Sequence, residues 1–137
     1  MEYLVFREHV DMLPISQNTL TSGSKRKEIL VYTSPLTAGE HYKKLKEKLA
    51  GVFGRALIAA GEALKQQKCA CLIFTLALPN QIGNSNKGKS FDLDNFAYPI
   101  FESAKPSKIM DHMQIFRVSK SQAIEQNGFD VIVTRYY

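Results

Sequence analysis

Cysteine is scarce in this chain of 137 residues, and the scarcity removes a disulfide framework from consideration. Only Cys69 and Cys71 are present, in the run Cys69-Ala70-Cys71-Leu72-Ile73-Phe74. Alternate strand residues share a face but lie too far apart along one strand for an easy disulfide. His9, His41 and His112 stand at no zinc-ligand spacing from them, so the pair reads as core thiols. Long apolar runs are also missing: no stretch reaches the roughly 20 residues that a bilayer-spanning helix needs. The N-terminal segment, with Glu2, Arg7, Glu8 and Asp11 close together, has neither the cationic start nor the apolar middle of a secretion signal. A cytoplasmic protein without membrane contact is expected. Repeats, low-complexity blocks and long linkers are absent too, which leaves one domain over 1–137 as the expectation.

What is present is the composition of a folding chain. Apolar residues make up 45%, with eight Phe and six Tyr, and the length suits a single hydrophobic core. Eighteen basic residues against thirteen acidic ones leave a formal charge of +5, which favours an anionic partner without naming it.

The patterning points to an α+β fold. Glu2 to Arg7 has the β-branched and aromatic bias of a strand, and Glu28 to Thr33 reads as a second, stopped by Ser34-Pro35. A long helix follows, with Thr37 and Glu40 at capping-box spacing. Leu45, Leu49, Val52, Phe53, Ala56, Leu57, Ala60 and Leu64 recur at three- and four-residue intervals and predict one apolar face packed on a sheet. Cys69 to Leu78 is apolar at both alternating sets of positions, as in a central strand covered on both faces. A polar loop over Pro79 to Ser90 leads to a short helix of about ten residues, with Pro99 in its early turns. Met113 to Lys120 and Phe129 to Arg135 predict two closing strands, for which an antiparallel pair is the simplest topology. Together these elements predict a mixed β-sheet with one long and one short helix packed on it.

The chemistry-bearing feature is the acidic cluster Asp92, Asp94 and Asp111. If Asp92 ends a strand, Asp92 and Asp94 point the same way, close enough to share one small hard cation. A carboxylate pair without a neighbouring cation repels itself, a cost that metal binding would offset. The competing reading makes Asp94 a helix cap with Asp92 in solvent, and for so short a motif taken alone that reading has the greater weight.

The wider string shifts that balance. Phe91-Asp92-Leu93-Asp94-Asn95-Phe96-Ala97-Tyr98-Pro99-Ile100-Phe101-Glu102, followed by Ile109-Met110-Asp111-His112-Met113-Gln114-Ile115, closely resembles the RusA-like Holliday-junction resolvases, small endodeoxyribonucleases common in prophages. Leu13-Pro14 with Ser16 and Asn18, the basic Lys25 to Lys27, Ser34 ahead of Tyr42 and the closing strands occur in the family's order, so the resemblance covers nearly the whole chain. It implies a magnesium-dependent cut in the backbone of branched or four-way-junction DNA, made by a homodimer. Asp92 and Asp94 match the family's Asp-x-Asp pair, Glu102 its helix acid, and Asp111 the first of its two adjacent acids. Catalysis and metal binding are thereby expected of Asp92, Asp94 and Asp111.

Two positions depart from the pattern. His112 replaces the second adjacent acid, and Tyr98 replaces the lysine four residues after Asp94. Histidine ligates magnesium poorly, and tyrosine carries no positive charge at neutral pH. Three accounts follow: Asp111 serves as third ligand while Lys89, Lys105 or Lys108 supplies the cation; manganese, more tolerant of imidazole, is the metal; or DNA binding persists without cutting. Tyr98 and His112 themselves read equally well as a packing residue and a partly buried polar residue. Lys25, Arg26, Lys27, Lys87, Lys89, Arg117 and Lys120 are the expected DNA contacts, gripping phosphates without reading bases.

Overall fold

The structure, a computed structural model, describes residues 1–15, 38–66, 71–79, 93–121, 124 and 128–136. The strand expected at 28–33, the cap at Thr37, Cys69 and the loop before Phe91 lie outside the described residues. Four strands, two helices and two 3-10 turns are described: β1 (Glu2–Val10), α1 (Ala38–Gln66), β2 (Cys71–Pro79), α2 (Leu93–Ala104), turns at Lys105–Ser107 and Ile109–His112, β3 (Ile115–Ser121) and β4 (Phe129–Tyr136). The expected α+β architecture, a mixed sheet carrying one long and one short helix, is the one observed.

β2 is the organising strand. All its residues from Leu72 to Pro79 are buried, so it needs partners on both edges. It finds β4 antiparallel on one side and β3 parallel on the other, giving the order β1-β4-β2-β3. The closing strands therefore do not pair with each other, as the simplest topology had them: β2 lies between them. The reason is burial. β4 brings Phe129, Val131 and Val133 to the core, whereas β3, with Arg117, Ser119 and Lys120, is the polar strand an edge tolerates.

One sheet face meets both helices. Leu72, Phe74, Leu76 and Leu78 pack with Leu45, Leu49, Val52, Phe53, Ala56 and Ala60 of α1 and with Phe96, Ala97 and Ile100 of α2. Phe74 sits between the rings of Phe53 and Phe101, at centroid distances of 6.1 and 5.9 Å. The apolar stripe on α1 is as expected through Ala60, after which Ala63 turns inward and Leu64, 44% exposed, turns out. The helix repeat does not return to the same face after four residues at every turn.

α2 is longer than expected and runs through Pro99, its seventh residue of twelve. A proline there removes the bond to the carbonyl four residues back. The proline's own carbonyl accepts from Tyr42 Oη at 3.1 Å and Ser103 Oγ at 2.7 Å. The part-buried Tyr42 bond ties α2 to the first turns of α1.

β1 is fastened at several points. Arg55 of α1 grips the Glu8 carboxylate with two hydrogen bonds of 2.7 and 2.6 Å. On the other face Asp130, its side chain 7% exposed, accepts from Arg7 at 2.7 Å and meets His9 Nδ1 at 2.7 Å. Gly128 lies against this cluster, and a Cβ there would strike the Val10 carbonyl and the His9 ring. Gly128→Ala should therefore lower the unfolding free energy by about 1–3 kcal/mol. Urea denaturation will measure it, and an unchanged midpoint would refute the crowding.

Candidate functional site

Helix α2 carries the candidate site's central residues. Its first residue is Leu93, so Asp94 stands in the first turn, where a carboxylate is favoured by the helix dipole. Strand alternation therefore does not extend across the Asp92-Leu93-Asp94 triplet, and the shared-direction argument for a strand end does not apply at Asp94. Asp92 lies outside the described residues.

Positions 94, 98 and 102 are spaced four apart and so line one side of α2. Tyr98 is 51% exposed and does not serve as a packing residue. Its hydroxyl donates to Glu102, and that bond, reinforced by the carboxylate's charge, raises the phenol's pKa. Glu102 also accepts from Lys105 Nζ at 2.9 Å. The Lys105 ammonium and then the Tyr98 hydroxyl hold the Glu102 carboxyl below its ordinary range. Lys105, considered above as a replacement cation, is thus committed to Glu102. Beside this chain opens a cleft of about 540 Å³, lined by Tyr42, Lys46 and Ala50 of α1 and by Glu102, Ser103, Pro106 and Ser107.

Asp111 follows in the second 3-10 turn and is exposed, as is His112. His112 is accordingly not the partly buried residue at a strand start that its bland reading required. Lys108, at φ 60°, adopts the left-handed conformation between the two turns, and its carbonyl accepts from Asp111 N at 3.2 Å. Gln114 pins the end of this segment to β2: its N–H donates to the Leu72 carbonyl at 3.0 Å, and its Oε1 accepts from Leu72 N at 2.6 Å. The glutamine of the motif therefore sets where β3 begins beside β2. Among the described residues, no cluster of three His, Cys, Asp or Glu side chains is disposed to hold a metal.

Of the expected DNA contacts, Lys25, Arg26, Lys27, Lys87 and Lys89 lie outside the described residues. Arg117 and Lys120 are both on β3, but the register with β2 turns them to opposite faces: Arg117 sits opposite Thr75, and Lys120 opposite core-facing Leu78. Arg117 lies across the sheet face away from the helices. Its Nε donates to Thr75 Oγ1 at 3.1 Å and its two terminal nitrogens grip Glu2 at 3.1 and 2.8 Å. Sequence reasoning missed Glu2 and Thr75 as its partners, and Thr134, whose hydroxyl donates to Glu2, because strand alternation does not tell which strands lie side by side.

No helix among the described residues is long and apolar enough to cross a membrane. No family model, no curated protein and no solved structure matches the chain.

The carboxylate shifts carry a pH consequence. Hydrogen bonds from Arg55, then the charges of Arg55 and Lys48, hold Glu8 below its ordinary range, so its contribution is present at neutral pH and lost as pH falls through the folded-state value. Glu8→Gln should cost about 0.2–1 kcal/mol at neutral pH and nothing once the wild-type group is protonated. Denaturant midpoints at neutral pH and well below the glutamate range will test this; a difference that persists in acid would contradict the ion-pair origin.

Proposed function

We propose that the protein is a metal-dependent endodeoxyribonuclease of the RusA-like class, acting in the cytoplasm as a homodimer on branched DNA such as four-way junctions. The observation that carries the reading is the string from Phe91 to Gln114, which pairs Asp-x-Asp with a later acid in the resolvase order. Three features support it. Asp94 falls in the first turn of α2, Asp111 is exposed, and Gln114 fixes the turn bearing Asp111 against the central strand.

The donor set suits a hard divalent ion, since carboxylate oxygens are the ligands that magnesium and manganese prefer. Asp92, Asp94 and Asp111 would hold it. When bound, such an ion polarises a phosphoryl oxygen and lowers the pKa of a water. The carboxylates' part is to fix orientation and to accept the proton released. Tyr98, whose hydroxyl is tied to Glu102 and whose pKa is raised, stays neutral and brings no charge to the phosphate. His112, exposed next to Asp111, favours manganese as the alternative ion.

A second reading is a catalytically degenerate RusA-like protein that binds DNA or a protein partner without cutting. The same neutral Tyr98 favours it. A synthetic four-way junction incubated in magnesium, then in manganese, separates the two. Symmetric nicks, reduced at least about 100-fold by Asp94→Asn, are expected of the nuclease. A gel shift without nicks identifies the silent binder, and cutting that appears only in Tyr98→Lys with His112→Asp would assign the loss to those two positions. Neither nick nor shift in any variant refutes both readings.

A further inference from the structure

Two arginine–carboxylate pairs lie on the sheet face away from the helices, and only the second is a two-oxygen fork. In the first, Arg7 meets Asp130, whose side chain is 7% exposed and which His9 also contacts. Asp130 is itself the buried charge and is held by both Arg7 and His9, so that pair is part of the fold. In the second, Arg117 meets Glu2, and both side chains are substantially exposed, at 44% and 37%.

That fork has the form of an oxyanion cradle. Arg117 Nη1 donates to one Glu2 oxygen at 3.1 Å and Nη2 to the other at 2.8 Å. Thr134 Oγ1 donates to the second oxygen at 2.9 Å. The guanidinium is held independently of its anion, because Nε donates at 3.1 Å to the hydroxyl of Thr75, a residue only 6% exposed. Three strands, β3, β2 and β4, thus build the cradle, and the edge strand β1 fills it. A planar fork with an added hydroxyl donor matches a phosphate as well as it matches a carboxylate.

We propose that Glu2 is an internal competitor for a phosphodiester-binding site formed by Arg117 and Thr134, so that DNA backbone oxygens gain this site by displacing the Glu2 carboxylate. Exchange strands no buried charge, because the Glu2 side chain is open to water once released. Glu2 is ionised at neutral pH, as a competitor for an anion site must be, and the bonds from Arg117 and then Thr134 lower its pKa further. This inference rests on the reading that the chain binds DNA, and it deepens that reading by naming a contact and its restraint.

The test is fluorescence anisotropy of a labelled four-way junction, without divalent metal, across a salt series. Glu2→Gln should tighten binding about five- to tenfold near 0.1 M salt and steepen the log–log salt slope by about one. The gain must vanish in Glu2→Gln with Arg117→Ala, which should bind like Arg117→Ala alone. A gain that survives without Arg117 is a general charge effect and overturns the proposal, as does wild-type affinity in a folded Glu2→Gln. Should Glu2→Gln misfold, Glu2→Asp, one methylene too short to close the fork, should show a smaller Arg117-dependent gain, and no gain there overturns it equally. Wild-type binding with no gain in the variant sinks this inference while DNA binding stands. An Arg117-dependent gain with no nicking in either metal keeps it while the nuclease reading falls, and no binding by any variant removes both.

Discussion

The burial of β2 is the constraint on which the rest of the molecule depends. A strand apolar on both faces and flanked on both edges cannot sit at a boundary, so β3, β4, α1 and α2 are placed by their capacity to cover it. α1 and α2 cover Phe74, Leu76 and Leu78 with packed side chains. Ile73, Thr75 and Ala77 lie on the opposite face, at 4%, 6% and 4% exposure. Arg117 contributes cover there, its aliphatic stem lying over β2 while its head reaches Glu2. A polar strand at the sheet edge thereby shields part of the centre.

The same arrangement explains why β1 gathers ion pairs. As the edge strand of the described sheet it has one row of backbone partners, in β4, interrupted by an irregularity between Leu4 and Phe6. Its side chains supply the remaining anchorage: Glu8 to α1, Arg7 and His9 to β4, and Glu2 to β3. Single surface pairs are worth little, but four contacts spread over both faces restrain where the strand can slide. Gly128 makes the same point sterically, since β4 can begin beside Val10 only where no side chain intervenes.

How far the fold was legible follows from the kind of pattern each element left. β1, α1 and β2 are written in local sequence: β1 in its β-branched and aromatic bias, α1 in its three- and four-residue apolar repeat, and β2 in an unbroken apolar run. The neighbour relations of β3 and β4 are not local. Sequence proximity suggested a hairpin, while the information that decides against it is comparative: Phe129, Val131 and Val133 are more apolar than Arg117, Ser119 and Lys120, and the more apolar strand takes the interior place. The tie that holds α2 at Pro99 was unreadable for another reason, since the hydroxyl bonded to the Pro99 carbonyl comes from Tyr42, 57 residues away. At the site, the helical start at Leu93 alters the geometry assumed for Asp94, and only the exposure of Tyr98, Asp111 and His112 adds to what the motif already held.

The charge inventory along α2 and the turn that follows it bears on how binding and chemistry would be linked. Asp94, Tyr98, Glu102 and Lys105 carry formal charges of −1, 0, −1 and +1, and the single cation is already paired with Glu102. Tyr98 cannot offset the acids, because its bond to Glu102 raises its pKa and keeps it protonated. Asp92 and Asp111 add further negative charge to the proposed site. Were those acids to converge as proposed, they would repel an approaching phosphate although the chain as a whole is basic at +5. On this argument, the proposed contact at Arg117, once freed from Glu2, would hold DNA without bringing a scissile bond to the aspartates. That last approach requires an added divalent charge, so in a chain with tyrosine at position 98 metal occupancy would govern whether the substrate reaches the carboxylates at all.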